Sequence, residues 1–218
     1  MKRLIIIGGR NLGRELLSLS KQCEGFGNDW MPYGFLDDDK SLEKKNNLPL
    51  PIISSVEAYS PTNDDVFICA LGNPWYKKKY ITEMVAKGAQ FISLVHPTAI
   101  IHDNVDIGHG VIIQPNCLIS DHVVLADFVT VQAYSTLGHD TSVKAYSHVS
   151  AYSFTGGGVV LEEGVLTGTR STILPNIKVN QFSVVGACSL ATKNVPPFTT
   201  VFGVPAVAIA SNAEQMSK

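Results

Sequence analysis

A histidine followed directly by an aspartate, His139-Asp140, is the residue pair of this 218-residue chain that is best suited to proton transfer. A carboxylate beside an imidazole can orient the ring and stabilise its charged form, so the pair could act as a general base. Adjacent residues do not necessarily face each other, and the pairing therefore requires a corner in the backbone between them. An exposed histidine without a role is the alternative for any one of the six histidines.

Small residues recur downstream of this pair. Gly156-Gly157-Gly158 lose side-chain packing, which indicates either a bulge or the close approach of a ligand to the backbone. Thr167-Gly168-Thr169 and Gly186-Ala187 repeat the pattern further along. Together these segments predict a flat groove for an extended ligand.

The segments belong to a six-residue repeat that runs from Val95 to about Phe202, with hexads such as IGHGVI, ISDHVV and LGHDTS. The fifth position is mostly small or branched, and the first is Val, Ile or Leu except at Thr155, Thr167, Ala191 and Pro197. A helix and a simple alternation do not give this period, whereas a short strand followed by a tight corner does. Hexapeptide repeats are the signature of a parallel β-helix. We predict a left-handed parallel β-helix over residues 95–218, with the first and fifth positions inward and the third and fourth outward.

The pattern of residues 1–94 is that of a small α/β domain. RLIII at 3–7 predicts a strand, and Gly8-Gly9 and Gly13 follow at the start of a helix. Glycines let the backbone approach a ligand closely, and a helix N-terminus presents free N–H groups to phosphate. The spacing departs from GxGxxG, so a tight turn without a ligand is the alternative.

Three further strands are predicted at 33–36, 66–71 and 91–95, with a helix over 76–87 whose lysines form a solvated face. The order β-α-β-β-α-β predicts an abbreviated, Rossmann-like doubly wound sheet. Asp37 and Asp38 follow the second strand, where carboxylates can accept hydrogen bonds from ribose hydroxyls or a base. A solvated acidic loop is the alternative. Gly72 and Asn73 close the third strand.

Composition excludes several classes of function. A net charge of -2 and a pI near 6.3 give no electrostatic case for nucleic acid. The apolar run after MKR is cut at Gly8, and no span reaches the ~18 apolar residues of a membrane helix. The four cysteines have no paired spacing for zinc or disulfides, and we expect them in the core. A cytoplasmic protein without a metal fits best.

Three segments, LGHDTSVKAYSHVS, TGTRSTILPNIKV and VFGVPA, together with the N-terminal domain, resemble the hexapeptide-repeat sugar N-acyltransferases of the PglD/NeuD type. The resemblance covers nearly the whole chain. It implies an acetyl-CoA-dependent N-acetyltransferase that acts on the 4-amino group of a UDP-, dTDP- or GDP-linked amino sugar. It also implies a homotrimer with acetyl-CoA between neighbouring β-helices, and a place in polysaccharide (O-antigen) biosynthesis or protein glycosylation.

The resemblance also implies roles for individual residues. His139 is the base and Asp140 raises its basicity, although the family commonly has Glu at that position. His148 contacts acetyl-CoA, and so does the backbone at Gly157, Thr169, Gly186 and Ala187. The substrate lies against the turn Gly9, Arg10, Asn11 and Leu12, with Asp37, Asp38, Gly72 and Asn73 at the adjoining strand ends. The family's turn often reads GGxGHG; its histidine is missing here, and Arg10 or Asn11 takes that place.

Three other functions are compatible with the same pattern. A sugar or serine O-acetyltransferase uses a similar histidine pair on the same β-helix. A γ-type carbonic anhydrase binds zinc through three histidines between subunits. A non-catalytic protein could bind NAD through its N-terminal domain and use the β-helix only to form trimers.

Overall fold

The computed structural model describes residues 1–213, and 214–218 lie outside the described residues. The chain forms two compact units, Met1–Gly72 with Tyr76–Pro97, and Asn73–Trp75 with the chain from Thr98 onward. The helices are α1 (Asn11–Ser20), α2 (Leu42–Lys45) and α3 (Pro74–Ala86). The strands, in chain order, are β1 (Lys2–Ile7), β2 (Trp30–Leu36), β3 (Ile52–Ser54), β4 (Asp65–Cys69), β5 (Leu94–Val95), β6 (Ile100–Ile101), β7 (Asp106–Ile107), β8 (Ile112–Ile113), β9 (Leu118–Ile119), β10 (Val124–Leu125), β11 (Thr130–Val131), β12 (Thr136–Leu137), β13 (Ser142–Val143), β14 (His148–Val149), β15 (Phe154–Thr155), β16 (Val160–Leu161), β17 (Leu166–Thr167), β18 (Thr172–Ile173), β19 (Lys178–Val179), β20 (Val184–Val185), β21 (Leu190–Ala191), β22 (Thr199–Gly203) and β23 (Ala206–Ser211).

The first unit is built on a parallel four-stranded sheet of order β3-β2-β1-β4. Its central strand β1 is apolar on both faces and its side chains from Leu4 to Ile7 are buried, as expected for a strand covered on two sides. The sequence did not predict β3, which is three residues long and pairs only with β2. The predicted strand at 91–95 is wrong in extent, because only β5 is a strand there and Phe91 makes a single bridge to Phe67.

One lysine of helix α3 corrects the prediction of a solvated basic face. Lys77 is only 1% exposed, because it lies on the same side of the helix as the buried Ile81 and Met84, four and seven residues further on. Burial lowers the pKa of Lys77 to about 8. The positive charge of Lys77 is therefore disfavoured in the folded protein, whereas Lys79 is exposed.

The second unit repeats a two-residue strand every six residues from β6 to β21. Successive strands join three parallel sheets in turn, which we call face 1 (β6, β9, β12, β15, β18, β21), face 2 (β7, β10, β13, β16, β19) and face 3 (containing β8, β11, β14, β17, β20, β22 and β23). The first hexad position is the second residue of each strand and is buried from Ile113 to Ala191. The predicted β-helix and its inward first position are therefore confirmed.

The fourth position of the hexads makes the corners. It has a positive φ at six-residue intervals, from Asn116 (57°) through Asp140 (59°) to Cys188 (56°). This left-handed conformation is unfavourable for most residues other than glycine, so the surrounding structure must hold it. Hydrogen bonds to the coil below do so, as where the Tyr134 N–H donates to the Pro115 carbonyl at 3.1 Å. Sequence inspection missed this feature because the position tolerates Phe, Tyr, Asn, Asp and Arg.

Hydroxyl groups at the fifth position connect successive coils inside the prism. Ser135 Oγ donates to the Ser150 carbonyl at 3.0 Å, and Ser147 Oγ donates to the Glu162 carbonyl at 2.9 Å. A buried hydroxyl without a partner would be costly, so these bonds explain why serine is tolerated in the core. The prediction that the compact fifth position points inward is confirmed.

Three cysteines, Cys23, Cys69 and Cys117, are buried as expected, but Cys188 is exposed. The prediction for Cys188 is wrong because this residue occupies a fourth hexad position, at an outer corner. Within residues 1–213, none of the helices is long and apolar enough to cross a membrane.

The buried Lys77 gives a prediction for pH dependence. Its pKa is about 8 in the folded protein and near 10.5 in an unfolded chain, so the unfolded state binds more protons between these values and stability rises with pH there. We expect the stability of the wild type relative to Lys77→Met to be lowest below pH 8 and to increase towards pH 10.5. Urea midpoints measured from pH 7 to 10.5 test this. The exposed Lys79→Met is the matched control, and a flat difference for Lys77→Met would contradict the burial of a titrating ammonium.

Candidate active site

His139 and Asp140 lie on the turn between β12 of face 1 and β13 of face 2. The left-handed φ of Asp140 provides the corner that the pairing requires, and His139 Nδ1 lies 2.7 Å from Asp140 Oδ2. The Asp140 N–H donates to the Asp121 carbonyl one coil below, at 3.1 Å. The two side chains are 72% and 62% exposed. Because Asp140 engages Nδ1, Nε2 is the ring nitrogen that can meet a substrate.

The turns stacked above and below this pair form one edge of the prism, which we call the His139 corner: residues 121–122, 139–140, 157–158 and 175–176. The Gly158 N–H donates to the His139 carbonyl at 2.8 Å, which fixes the next coil against this one. Gly157 faces the imidazole directly. The structure therefore brings Gly157 next to His139, and the contact of Gly157 with a ligand stays a prediction.

Backbone N–H groups at the third hexad position are potential ligand donors. Some are already used, since the N–H groups of Ala133 and Ala151 donate to the side-chain oxygens of Gln114 and Gln132 at 3.0 and 3.2 Å. In the described part of the chain, three predicted cofactor residues donate no such bond from their N–H groups: Gly157, Thr169 and Ala187. These three N–H groups therefore have no acceptor among the hydrogen bonds of the described residues.

The predicted cofactor residues do not lie at one corner of a single chain. Thr169 lies between β17 and β18, and Gly186 and Ala187 lie between β20 and β21, which places all three on the turns from face 3 to face 1. His148 lies in β14 on face 3 and is 3% exposed. His148 is therefore not accessible in a single chain, and Thr130 and Leu166 flank it directly in the ladder.

In the first unit, Asp37 organises the glycine turn. The Gly9 N–H donates to Asp37 Oδ2 at 2.8 Å, and the Asp39 N–H donates to Asp37 Oδ1 at 3.0 Å. Asn46 Nδ2 donates to the Gly9 carbonyl at 3.2 Å. The sequence predicted Gly9 and Asp37 as neighbours at the carboxyl edge of the sheet, and the structure brings them together. The hydrogen bond between them was not foreseen, because no spacing rule links residues 28 positions apart.

The other predicted substrate residues differ in their contacts and exposure. Asp38 accepts a hydrogen bond from the Tyr80 hydroxyl at 2.9 Å, and burial together with this carboxylate raises the pKa of Tyr80 to about 12. Arg10 and Asn11 are exposed at the start of α1, and Leu12 is half-buried. Gly72 is half-buried, and Asn73 caps α3 by accepting the Trp75 N–H at 2.9 Å. Tyr80 and Asn46 carried no sequence signal that pointed to this site.

A short parallel α/β sheet is thus followed by a hexapeptide β-helix that carries an exposed His–Asp pair at one corner. No protein-family model matches the chain. The chain is 26% identical over 209 residues to the GDP-perosamine N-acetyltransferase of Escherichia coli O157:H7, which covers 92% of this chain and 93% of the relative.

Two solved structures share the fold over nearly the whole chain. PerB from Caulobacter crescentus in complex with CoA and GDP-perosamine superposes with a TM-score of 0.85 at 20% identity, covering 96% of this chain and 98% of that one. The acetyltransferase domain of PglB from Neisseria gonorrhoeae FA1090 in complex with acetyl coenzyme A gives 0.83 at 24% identity, covering 95% and 99%. The left-handed β-helix after an α/β unit, and the resemblance to sugar N-acetyltransferases, are thereby confirmed.

Some curated relatives match only through a short segment. The serine acetyltransferase of Buchnera aphidicola is 49% identical over 47 residues, which is 22% of this chain and 18% of the relative's own length.

Among residues 1–213, no group of three or more His, Cys, Asp or Glu side chains is placed to hold a metal ion.

The contacts of Asp37 predict that it is more important for stability than its neighbour. Asp37→Ala leaves the N–H groups of Gly9 and Asp39 without their acceptor, and we expect a loss of about 1–3 kcal/mol in the free energy of unfolding. Asp38→Ala, at an exposed carboxylate with a single Tyr80 contact, should cost less than about 1 kcal/mol. Urea unfolding of both variants measures the difference. An equal loss for the two variants would show that Asp37 does not hold the turn.

Proposed function

We propose that this protein is an acetyl-CoA-dependent N-acetyltransferase that acts on the 4-amino group of a nucleotide-linked amino deoxysugar. The observation that carries the proposal is the His139–Asp140 pair, joined at 2.7 Å on an exposed corner next to Gly157. The full-length similarity to a GDP-perosamine N-acetyltransferase supports it, as do the neighbours solved with acetyl coenzyme A or with CoA and GDP-perosamine. These names favour GDP among the three candidate nucleotides.

Asp140 determines which ring nitrogen of His139 acts as the base. When His139 donates its Nδ1–H to the carboxylate, Nε2 carries the lone pair that accepts a proton, and the carboxylate stabilises the imidazolium that forms. Aspartate is one methylene shorter than the glutamate common in the family. The distance of 2.7 Å from His139 Nδ1 to Asp140 Oδ2 shows that the shorter side chain still reaches the ring.

The chemistry needs no covalent acyl-enzyme. A sugar amine is a good nucleophile towards a thioester, so the protein has to align the two groups, accept a proton and stabilise negative charge. We assign proton removal from the attacking nitrogen to His139 Nε2 as the C–N bond forms. The Gly157 N–H is the proposed donor to the thioester oxygen. The C–S bond then breaks, and the imidazolium returns its proton to the leaving thiolate.

The glycine turn of the first unit is the proposed site for the nucleotide diphosphate. Arg10 supplies an exposed positive charge, and Asn11 and Leu12 begin a ten-residue helix whose first N–H groups favour anions. Asp37 shapes this turn through both of its oxygens. Asp38 has one oxygen that Tyr80 does not use and is the better candidate for a nucleoside hydroxyl or base. Gly72 and Asn73 stay predicted substrate contacts.

A homotrimer accounts for the distribution of the cofactor residues. Gly157 lies at the His139 corner, whereas Thr169, Gly186 and Ala187 lie at a different corner of the same chain. A second copy could place the turns that connect its face 3 to its face 1 beside the His139 corner. Acetyl-CoA would then lie between two chains. The contact of His148 with acetyl-CoA stays a prediction.

An O-acetyltransferase of serine or a sugar is the second candidate. The 47-residue match to serine acetyltransferase favours it, and the same base could take a proton from a hydroxyl. The similarity over 92% of this chain to an amino-sugar N-acetyltransferase favours the first candidate.

Replacing the base tests the mechanism. His139→Asn removes the proton acceptor and keeps a polar side chain of similar size, and we expect kcat to fall about 10²–10⁴-fold. The affinity for acetyl-CoA should stay near that of the wild type, because the open N–H donors are unchanged. Thiol release with a GDP-linked 4-amino sugar gives kcat, and calorimetry gives the affinity. An unchanged kcat would remove His139 from the mechanism.

Ligand-dependent stability identifies the substrates. A ligand at ~100 times its Kd stabilises the folded state by about 2.7 kcal/mol. We expect the melting temperature to rise with acetyl-CoA and with one of GDP, UDP or dTDP. A rise with NAD and none with acetyl-CoA would instead support the non-catalytic scaffold.

A further inference from the structure

The contact between Gly157 and His139 is closer than any side chain would allow. A β-carbon added to Gly157 would lie 2.4 Å from His139 Cε1 and 2.5 Å from Nε2. Real β-carbons essentially never approach another heavy atom below 3.0 Å. The imidazole therefore occupies the space in which residue 157 would carry its side chain, with the edge that bears Nε2 against the glycine.

Backbone conformation does not explain this glycine. Gly158, the next residue, has a φ of +70°, in the left-handed region that favours glycine, whereas Gly157 lies outside that region. Alanine at 157 would therefore meet no strain from its own backbone. The requirement for glycine comes from the space that the ring fills.

The other contacts of the His139 ring do not fix its orientation by themselves. Asp140 engages Nδ1, but the His139 side chain is 72% exposed, so this one hydrogen bond cannot by itself exclude rotation of the ring away from the prism. The coil of Gly157 is held by the Gly158 N–H, which donates to the His139 carbonyl at 2.8 Å. It therefore presents a fixed, flat surface to the ring.

We infer that Gly157 is a positioning residue for the base: its missing side chain lets the His139 ring lie against the next coil, with Cε1 and Nε2 in the space that a β-carbon would fill. The inference rests on the proposed function, since it concerns the base of that reaction. It gives Gly157 a role that differs from contact with the cofactor. A side chain at 157 would turn the ring outward, moving Nε2 away from the position where the acceptor amine must lie.

Gly157→Ala tests this inference, with Gly158→Ala as the matched control. A β-carbon at Gly158 would meet Asn176 Oδ1 at 2.5 Å and no atom of His139. The control therefore adds the same methyl group at the same corner without touching the ring. The first readout is the chemical shift of the His139 ring, followed by NMR in the free protein. We expect this shift to change in Gly157→Ala and to stay as in the wild type in Gly158→Ala.

The NMR result does not depend on the reaction, so it separates this inference from the proposed function. An unchanged His139 signal in Gly157→Ala would overturn the positioning role even if the enzyme proved to be an N-acetyltransferase. A changed signal in a protein without acetyltransferase activity would uphold the positioning role while the proposed function failed.

A double-mutant cycle supplies the kinetic readout. A displacement of about 1 Å can cost ~10²-fold in rate, so Gly157→Ala should lower kcat by about that factor with little change in the KM for acetyl-CoA. In a His139→Ala background the ring is absent, and Gly157→Ala should lower the residual kcat no further. An equal fall of kcat in both backgrounds, or a rise of KM with kcat unchanged, would show that residue 157 acts on the cofactor instead.

Discussion

The corner of the hexapeptide coil is the constraint on which the second unit depends. Each corner requires a residue with a positive φ, which is unfavourable for ordinary L-residues, and it recurs at six-residue intervals. The cost is offset because every coil is hydrogen-bonded to the coils beside it and buries an apolar first position. The same bend that closes the prism also turns the His139 and Asp140 side chains towards each other. The site is therefore a consequence of the fold's most demanding backbone position.

Stability and chemistry are separated across the prism wall. Inside, branched apolar residues are buried together with serines whose hydroxyls donate to carbonyls of the next coil. Outside, the His139–Asp140 pair is largely exposed, and an ion pair in water adds little to stability. The hydrogen bond of the pair orients the His139 ring. The glycines of the next coil contribute to this orientation, because they leave room for the ring where a side chain would lie. The three glycines bury no side chains at this corner. Local stability is therefore lower, and the His139 ring stays accessible.

The first unit uses carboxylates differently from the second. Asp37 satisfies two backbone N–H groups and so determines the shape of the glycine turn before any ligand is bound. Helix α3 carries two polar side chains that are withdrawn from water, the partly buried Tyr80 and the fully buried Lys77. Burial raises the pKa of Tyr80 and lowers the pKa of Lys77, because it disfavours the charged form of each group. Polar groups at the carboxyl edge of a parallel sheet, at a glycine turn, are typical of nucleotide sites in α/β folds.

The sequence by itself determined the β-helix, because a period of six has no other simple structural explanation, and it determined which positions point inward. It also identified His139, Asp140 and the glycines, since these depart from a repeat that is otherwise regular. The tertiary structure alone decided the left-handed φ at residues as different as Phe128 and Asp140, because that conformation comes from closure of the coil and not from residue type. It alone decided the burial of Lys77 and His148, the bond from Gly9 to Asp37 and the contact of Gly157 with the imidazole. Each of these depends on residues that are distant in sequence or on the covering of a face, and no local pattern encodes such packing.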